Sequence, residues 1–423
     1  MNLFEETESQ VRNYSRHWPV VFERAVESRL YDESGRYFID FFAGAGALNY
    51  GHNHPILKAA LIDYLQADRL IHSLDMWTVA RREFLLTFRD LILIPRGLDH
   101  RVQFSGPAGT TAVEAAIKLA RKVTGRNTIV GFTGGFHGMT LGSLSIAGRS
   151  GTGMGHSGTL AGFAPPLPYC NHSTYDSGFD ELDRLLGGSS TSAKPAAVIV
   201  ETVQGDGGIN TATPDWLRSI SELCRSRNIL LIIDDIQMGC GRTGPFFSFE
   251  HANLSPDIIC LSKSISGYGL PLALTLIRPD LDTWEPGEHS GTFRGFTPAF
   301  VTASKALTLF WSDNTLAEST LAKYEVIHRA LRRISAEHHE LGFTIRGRGL
   351  AIGVEFRTAE MASAVAQESF ARGLLVETAG VLGNVIKFLP PLTISADDLT
   401  EGLSIFQKAV SVASRNTKIE VTQ

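Results

Sequence analysis

Between residues 127 and 262, short and almost wholly apolar runs alternate with stretches of helical periodicity. "NTIVGF" (127–132), "AAVIVETV" (196–203), "NILLIIDD" (228–235) and "DIICLS" (257–262) read as strands. "PDWLRSISELCRSRN" carries Trp216, Leu217, Ile220 and Leu223 on one helical face. A strand that is apolar on both faces must be covered on both, which predicts a mostly parallel sheet layered with helices. Ligands of such sheets sit beyond the C-terminal ends of the strands, and the polar residues of this chain gather there. One of those ends raises a question of its own: Asp234 and Asp235 close an apolar strand, and buried carboxylates are costly unless a cation meets them.

Elsewhere the pattern changes. "TLAESTLAKYEVIHRALRRISAEHHELG" predicts a long helix, followed by strands in "IRGRGLAIGVEF" and "NVIKFLPPLTI". The expected organisation is an N-terminal segment (1–45) packing with a small α+β domain (315–423), and a large α/β domain between them (46–314). Residues 20–45 read as two short strands around a turn at Glu33 to Gly35. With 423 residues, of which 43% are hydrophobic and 20% charged, the chain can bury a large core. A net charge of −5 without a basic tract argues against nucleic-acid or anionic-membrane partners. No apolar run approaches the ~20 residues needed to span a bilayer. Four scattered cysteines, with Cys260 inside a strand, predict core thiols rather than disulfides or zinc, and a reducing, cytoplasmic setting.

Three segments carry chemistry. "SGPAGTTAVEAAIKLARK" (105–122) is a Gly-rich loop opening a helix, with capping-box spacing from Thr111 to Glu114 and an i,i+4 pair from Glu114 to Lys118. The amides near Gly109 and Thr110 would face an anion. The loop is neither a Walker motif nor GxGxxG, which disfavours a nucleotide-binding dehydrogenase. "GGFHGMT" sets Phe136 and His137 between glycines that admit a flat ligand. "DIICLSKSISGYG" puts Lys263 just past a buried strand, where a partly desolvated amine becomes nucleophilic. A phosphate at Gly109 and Thr110, an aromatic face at Phe136, a Schiff-base lysine and a strand-end aspartate together describe a pyridoxal phosphate site, whose ring nitrogen would be the cation that Asp234 lacks.

With these residues in view, the chain resembles the class III, fold-type I aminotransferases from about Val20 to Leu392. "GALNYGHNHP", "GGFHG", "ETVQGDGG", "DDIQMGCGRTG", "SPDIICLSKSISGYGLPLA" and "GTFRG" occur in the family's order. The resemblance implies a fold-type I large domain with a mostly parallel seven-stranded sheet, with pyridoxal phosphate as cofactor. It implies Lys263 as Schiff-base lysine and proton carrier, Asp234 at the pyridinium, and Gln237 on the ring hydroxyl. Phe136 and Ile236 would pack on the two ring faces. Gly109 and Thr110 would hold the phosphate, with Thr292 contributed from the other subunit of a homodimer or dimer of dimers. Glu201 would orient Gln237 or gate access.

Asp-Asp at 234–235 and Glu-Thr at 201–202 resemble the branch that exchanges amino groups between diaminobutyrate and 2-oxoglutarate in the ectoine pathway. Two departures from the wider class bear on the substrate. Lys387 stands where many members carry a carboxylate-clamping arginine, and Asp206 where a glutamate partners that arginine. Lys387 is therefore expected to recognise substrate carboxylate, and Asp206 to pair with it and switch away. The implied reaction is ping-pong transfer of a terminal amino group between L-2,4-diaminobutyrate/aspartate 4-semialdehyde and glutamate/2-oxoglutarate. Ornithine, acetylornithine, 4-aminobutyrate, lysine or taurine as donor, or an aminomutase on the same fold, remain open on sequence alone.

Overall fold

The computed structural model describes residues 3–148, 166–170, 183 and 194–420. Its central sheet has six strands among the described residues. Their spatial order is Arg101–Gly106, Ala273–Ile277, Ile258–Leu261, Leu230–Asp234, Ala197–Val200 and Ile129–Val130. Every strand but Ala273–Ile277 runs the same way. Leu230–Asp234 is buried along its whole length, as its unbroken apolar sequence requires.

The helix Pro214–Ser226 is opened by the Thr213 hydroxyl, which accepts from the Trp216 amide, and by Pro214 in its first turn. Its Trp216, Leu217, Ile220 and Leu223 are all buried. Each such side chain contributes about 1.5–3 kcal/mol of transfer free energy. The helix therefore stands on its packed face rather than on propensity.

Two four-stranded sheets accompany this core among the described residues. Thr344–Arg348, Ala351–Glu355, Val385–Phe388 and Glu377–Ala379 form an antiparallel sheet in that order. The N-terminal stretch holds three strands, Phe22–Val26, Arg29–Asp32 and Tyr37–Asp40, rather than the two expected. The extra turn falls at Glu27, a non-glycine residue at φ 52° that no turn residue in the sequence announces. Tyr37–Asp40 pairs in parallel with Leu374–Leu375, joining the first forty residues to the C-terminal part of the chain.

Arg242, from "GCGRTG", ties distant loops together. Its guanidinium is fully buried and donates to the carbonyls of Leu350 and Pro390 and to Asn49 Oδ1. Asn49 in turn donates to the Cys240 carbonyl at 2.9 Å. The glycine-rich motifs at 46–55 and 239–244 are thus pinned to each other, to Leu350 and to the proline pair at 390–391. No helix among the described residues is long and apolar enough to cross a membrane.

Candidate active site

Adjacent parallel strands deliver the site's polar residues to one edge. Val200 is in register with Ile233, and Asp234 with Cys260, so Glu201, Asp234 and Lys263 emerge from three neighbouring strand ends. They line one cavity of about 150 Å³ together with Gly109, Thr110, Phe136, His137, Gly138, Asp206, Ile236 and Gln237.

Lys263 opens the turn Lys263–Ser266 at φ 50°, in the left-handed region that a lysine seldom adopts. The turn is held by Ser262 Oγ donating to the Leu272 carbonyl and Ser264 Oγ to the Gly46 carbonyl. Burial lowers the Lys263 pKa; Asp206 opposes that shift and the charge of Lys387 adds to it. A lowered pKa leaves more of the amine neutral.

Asp234 is braced on both oxygens. Oδ1 accepts from the Ile236 amide at 3.1 Å, and Oδ2 lies 2.7 Å from His137 Nδ1. Burial alone would depress the imidazole, but the hydrogen bond and charge of Asp234, with Glu201, raise its pKa. His137 therefore sits behind the aspartate, a pairing invisible in the sequence. Glu201 is raised well above the carboxylate range, first by burial. It accepts from the Phe136 amide at 3.0 Å. Gln237 Nε2 donates to the Ala45 carbonyl at 3.0 Å, in the left-handed turn at Gly44 and Ala45.

Asp235, on the opposite side of the strand end, is fully buried. Its Oδ2 accepts from the Ser248 amide at 3.1 Å, while Oδ1 has no hydrogen-bond partner among the described residues. Burial pushes its pKa up to about 7.

The helix Gly109–Thr124 begins differently from the expected capping box. Ala108 occupies the cap position with no side-chain hydrogen bond, and Thr111 Oγ1 donates back to the Ala108 carbonyl at 2.5 Å. Glu114 accepts from Thr140 Oγ1 and the Ser143 amide rather than pairing with Lys118, whose amine donates to the Glu288 carbonyl. The first-turn amides are thus left without a side-chain cap at the cavity. Close packing shapes this end: a Cβ on Gly109 would fall 2.9 Å from Ile236 Cγ2, and one on Gly138 2.3 Å from Thr110 Oγ1.

Lys387 lies outside the cavity lining but is joined to it. Its amine is 2.7 Å from Asp206 Oδ1 and 3.0 Å from Glu377 Oε2, with its side chain only 1% exposed. Burial would lower this lysine's pKa, and the two carboxylates together raise it above the ordinary value. Glu377 also accepts from the Tyr14 hydroxyl at 3.2 Å. Neither Glu377 nor Tyr14 was expected at the site. Thr292 is exposed and away from the cavity of its own chain.

The description "Aminotransferase class-III" matches residues 10–410 of this chain. The chain belongs to that family. A diaminobutyrate--2-oxoglutarate transaminase of Nocardia farcinica is 54% identical over 417 residues, 97% of this chain and 94% of that protein. The protein of the same name from Halomonas elongata is 50% identical, covering 97% and 99%. Among solved structures, the ornithine aminotransferase from Toxoplasma gondii superposes with a TM-score of 0.84 at 28% identity, covering 98% of this chain and 94% of its own.

For a class III aminotransferase the test is whether the cavity suits pyridoxal phosphate. The group needs an anion cradle, a carboxylate for its ring nitrogen and an amine for its carbonyl. The uncapped helix end at Gly109, the braced carboxylate of Asp234 and the amine of Lys263 face the same space, and the residues fit it. Among the described residues no cluster of His, Cys, Asp and Glu could hold a metal ion.

Proposed function

We propose that this class III aminotransferase moves the terminal amino group of L-2,4-diaminobutyrate to 2-oxoglutarate, giving aspartate 4-semialdehyde and glutamate, in two half-reactions at one site. The observation that carries the reading is the amine of Lys263, free of any hydrogen bond or ion pair among the described residues and facing the cavity that Asp234 and the uncapped helix share. The names borne by relatives at 50–54% identity support the substrate pair. Supply of ectoine synthesis is the pathway role proposed with it.

Gly109 and Thr110 would hold the phosphate of pyridoxal phosphate, Phe136 and Ile236 would cover its ring, Gln237 would meet its hydroxyl and Asp234 its ring nitrogen. When bound, the group supplies a carbonyl carbon for amines and a ring that withdraws electrons. Lys263 acts as nucleophile through Nζ and then carries a proton to and from the substrate carbon as general base and acid. His137 holds Asp234 in place. Glu201 closes the polar side of the cavity beside Phe136. Lys387 meets substrate carboxylate, and Asp206 gives up its place on that amine to it.

A homodimer belongs to this reading, with Thr292 reaching the partner's phosphate. Trp77 is 98% exposed in the single chain, beside exposed Leu74 and Met76. The neighbouring Ser73 amide donates to the Gly295 carbonyl at 2.9 Å, so this apolar stretch and the Thr292–Gly295 turn form one surface. Residues 1–45 and 315–423 make up the small-domain side, and 46–314 the large domain. Four free cysteines suit a reducing compartment, the cytoplasm.

A donor panel with 2-oxoglutarate, scored on glutamate formed, tests the assignment. L-2,4-diaminobutyrate should exceed ornithine, acetylornithine, lysine, taurine and 4-aminobutyrate in kcat/KM. A clear preference for another donor overturns the substrate, and absence of glutamate with every donor overturns the reaction.

A further inference from the structure

Lys387 is held by two carboxylates that are mounted differently. Glu377 stands directly across the antiparallel sheet, in register with Lys387 on the next strand. Its other oxygen takes the Tyr14 hydroxyl, and its side chain is 16% exposed. It lines a separate cavity with Tyr14 and Trp18 rather than the one around Lys263. Asp206 sits in the turn between the short strands Val203–Gln204 and Asn210–Thr211, is 24% exposed, and lines the Lys263 cavity. One counter-ion is therefore built into a strand and turned away from the reacting groups. The other is on a loop and turned toward them.

The two half-reactions place different demands on this cluster. Glutamate brings a carboxylate on the carbon that bears its reacting amine; a terminal-amine donor brings none there. A carboxylate arriving at Lys387 must displace Asp206. If Asp206 were the only partner, an ammonium with 1% exposure would be left uncompensated whenever Asp206 moved off before a substrate carboxylate arrived, and the exchange would be slow.

We propose that Glu377 is the permanent counter-ion of Lys387, so that Asp206 alone exchanges with substrate carboxylate. Resting on the transaminase reading above, this makes Glu377 a positioning residue that sets the balance between the two half-reactions. With Glu377 removed, Asp206 is the one carboxylate left on this buried cation among the described residues and binds it more firmly. Glutamate must then displace a tighter pair, whereas a terminal-amine donor leaves that pair undisturbed. A short aspartate arm suffices for the exchange, because Lys387 never has to be held from the cavity side alone.

The test follows both half-reactions of the holoenzyme in one preparation by the cofactor's absorbance, so that their ratio is independent of the folded fraction. For Glu377→Gln, kcat/KM with glutamate should fall about tenfold through KM, while that with L-2,4-diaminobutyrate changes less than about twofold. Calorimetric titration of the holoenzyme with glutarate, an unreactive dicarboxylate, should show a matching loss of affinity. Tyr14→Phe, which loosens Glu377 from the surface side, should shift the ratio in the same direction by less, and serves if Glu377→Gln is insoluble. An equal fall in both half-reactions, or unchanged glutarate binding, overturns the inference while leaving the transaminase reading intact. A wild-type protein that fails to react with glutamate overturns both.

Discussion

His137 Nδ1 lies 2.7 Å from Asp234 Oδ2, and both side chains are almost sealed from solvent. A buried carboxylate that loses such a partner is left partly uncompensated, a change of ~3–5 kcal/mol in comparable buried pairs. His137→Ala should therefore weaken retention of pyridoxal phosphate and lower kcat by more than tenfold. Absorbance of the protein-bound cofactor after dialysis, alongside turnover, checks this. Full retention with normal kcat would mean that the histidine only fills space.

Gly205 leaves no room for a side chain. A Cβ there would lie 1.6 Å from Gln237 Oε1, so Gly205→Ala must drive Gln237 off the Ala45 carbonyl. The expected result is a loss of activity of tenfold or more with a melting temperature lowered by only a few degrees. A variant as active as the parent would show that the position of Gln237 is unimportant.

Asp235 gives a pH dependence of defined sign. Its folded pKa of about 7 lies above the ordinary aspartate value of 3.8, so between these values the folded state keeps a proton that the unfolded state has lost. Stability then falls as pH rises through this window, and the cost is fully present above about 7. Asp235→Asn removes the titration. Thermal melts should show the stability of the variant relative to wild type climbing from pH 4 to pH 8, by up to about 4 kcal/mol at roughly 1.4 kcal/mol per pH unit. A difference that stays constant with pH would contradict the raised pKa.

Lys387 neutralises two carboxylates at once. Lys387→Met should destabilise the fold by ~3–5 kcal/mol, whereas Lys387→Arg should keep most of the stability by preserving the charge. Thermal melts of the two variants separate charge compensation from shape.

Much of this site was legible because its residues sit at strand ends, where an apolar run stops at a polar residue. Leu230 to Asp234, Ile258 to Lys263 and Ala197 to Glu201 each show that break, and register then brings the three ends together. The helix at Pro214–Ser226 was equally plain from its periodicity. Local spacing misled where tertiary partners compete: Glu114 has the geometry of a capping box yet answers Thr140 and Ser143. Glu377 escaped notice although the signal was present. The turn from Gly380 to Gly383, closed by the Gly383 amide donating to the Gly380 carbonyl, folds "ETAGVLGNVIK" so that Glu377 faces Lys387. Tyr14, 363 residues away from Glu377, had no such local mark. Nor had His137, whose partner lies 97 residues on.

The central claim is that the amine of Lys263 carries amino-group transfer in this cavity. Single-turnover reaction of the holoenzyme with glutamate, in the absence of any keto acid, measures it directly. Wild type should release one equivalent of 2-oxoglutarate per site as the cofactor's absorbance changes, and Lys263→Ala should release at least a thousandfold more slowly, a barrier increase of about 4 kcal/mol. Release from Lys263→Ala at the wild-type rate, or none from either protein, would contradict the account.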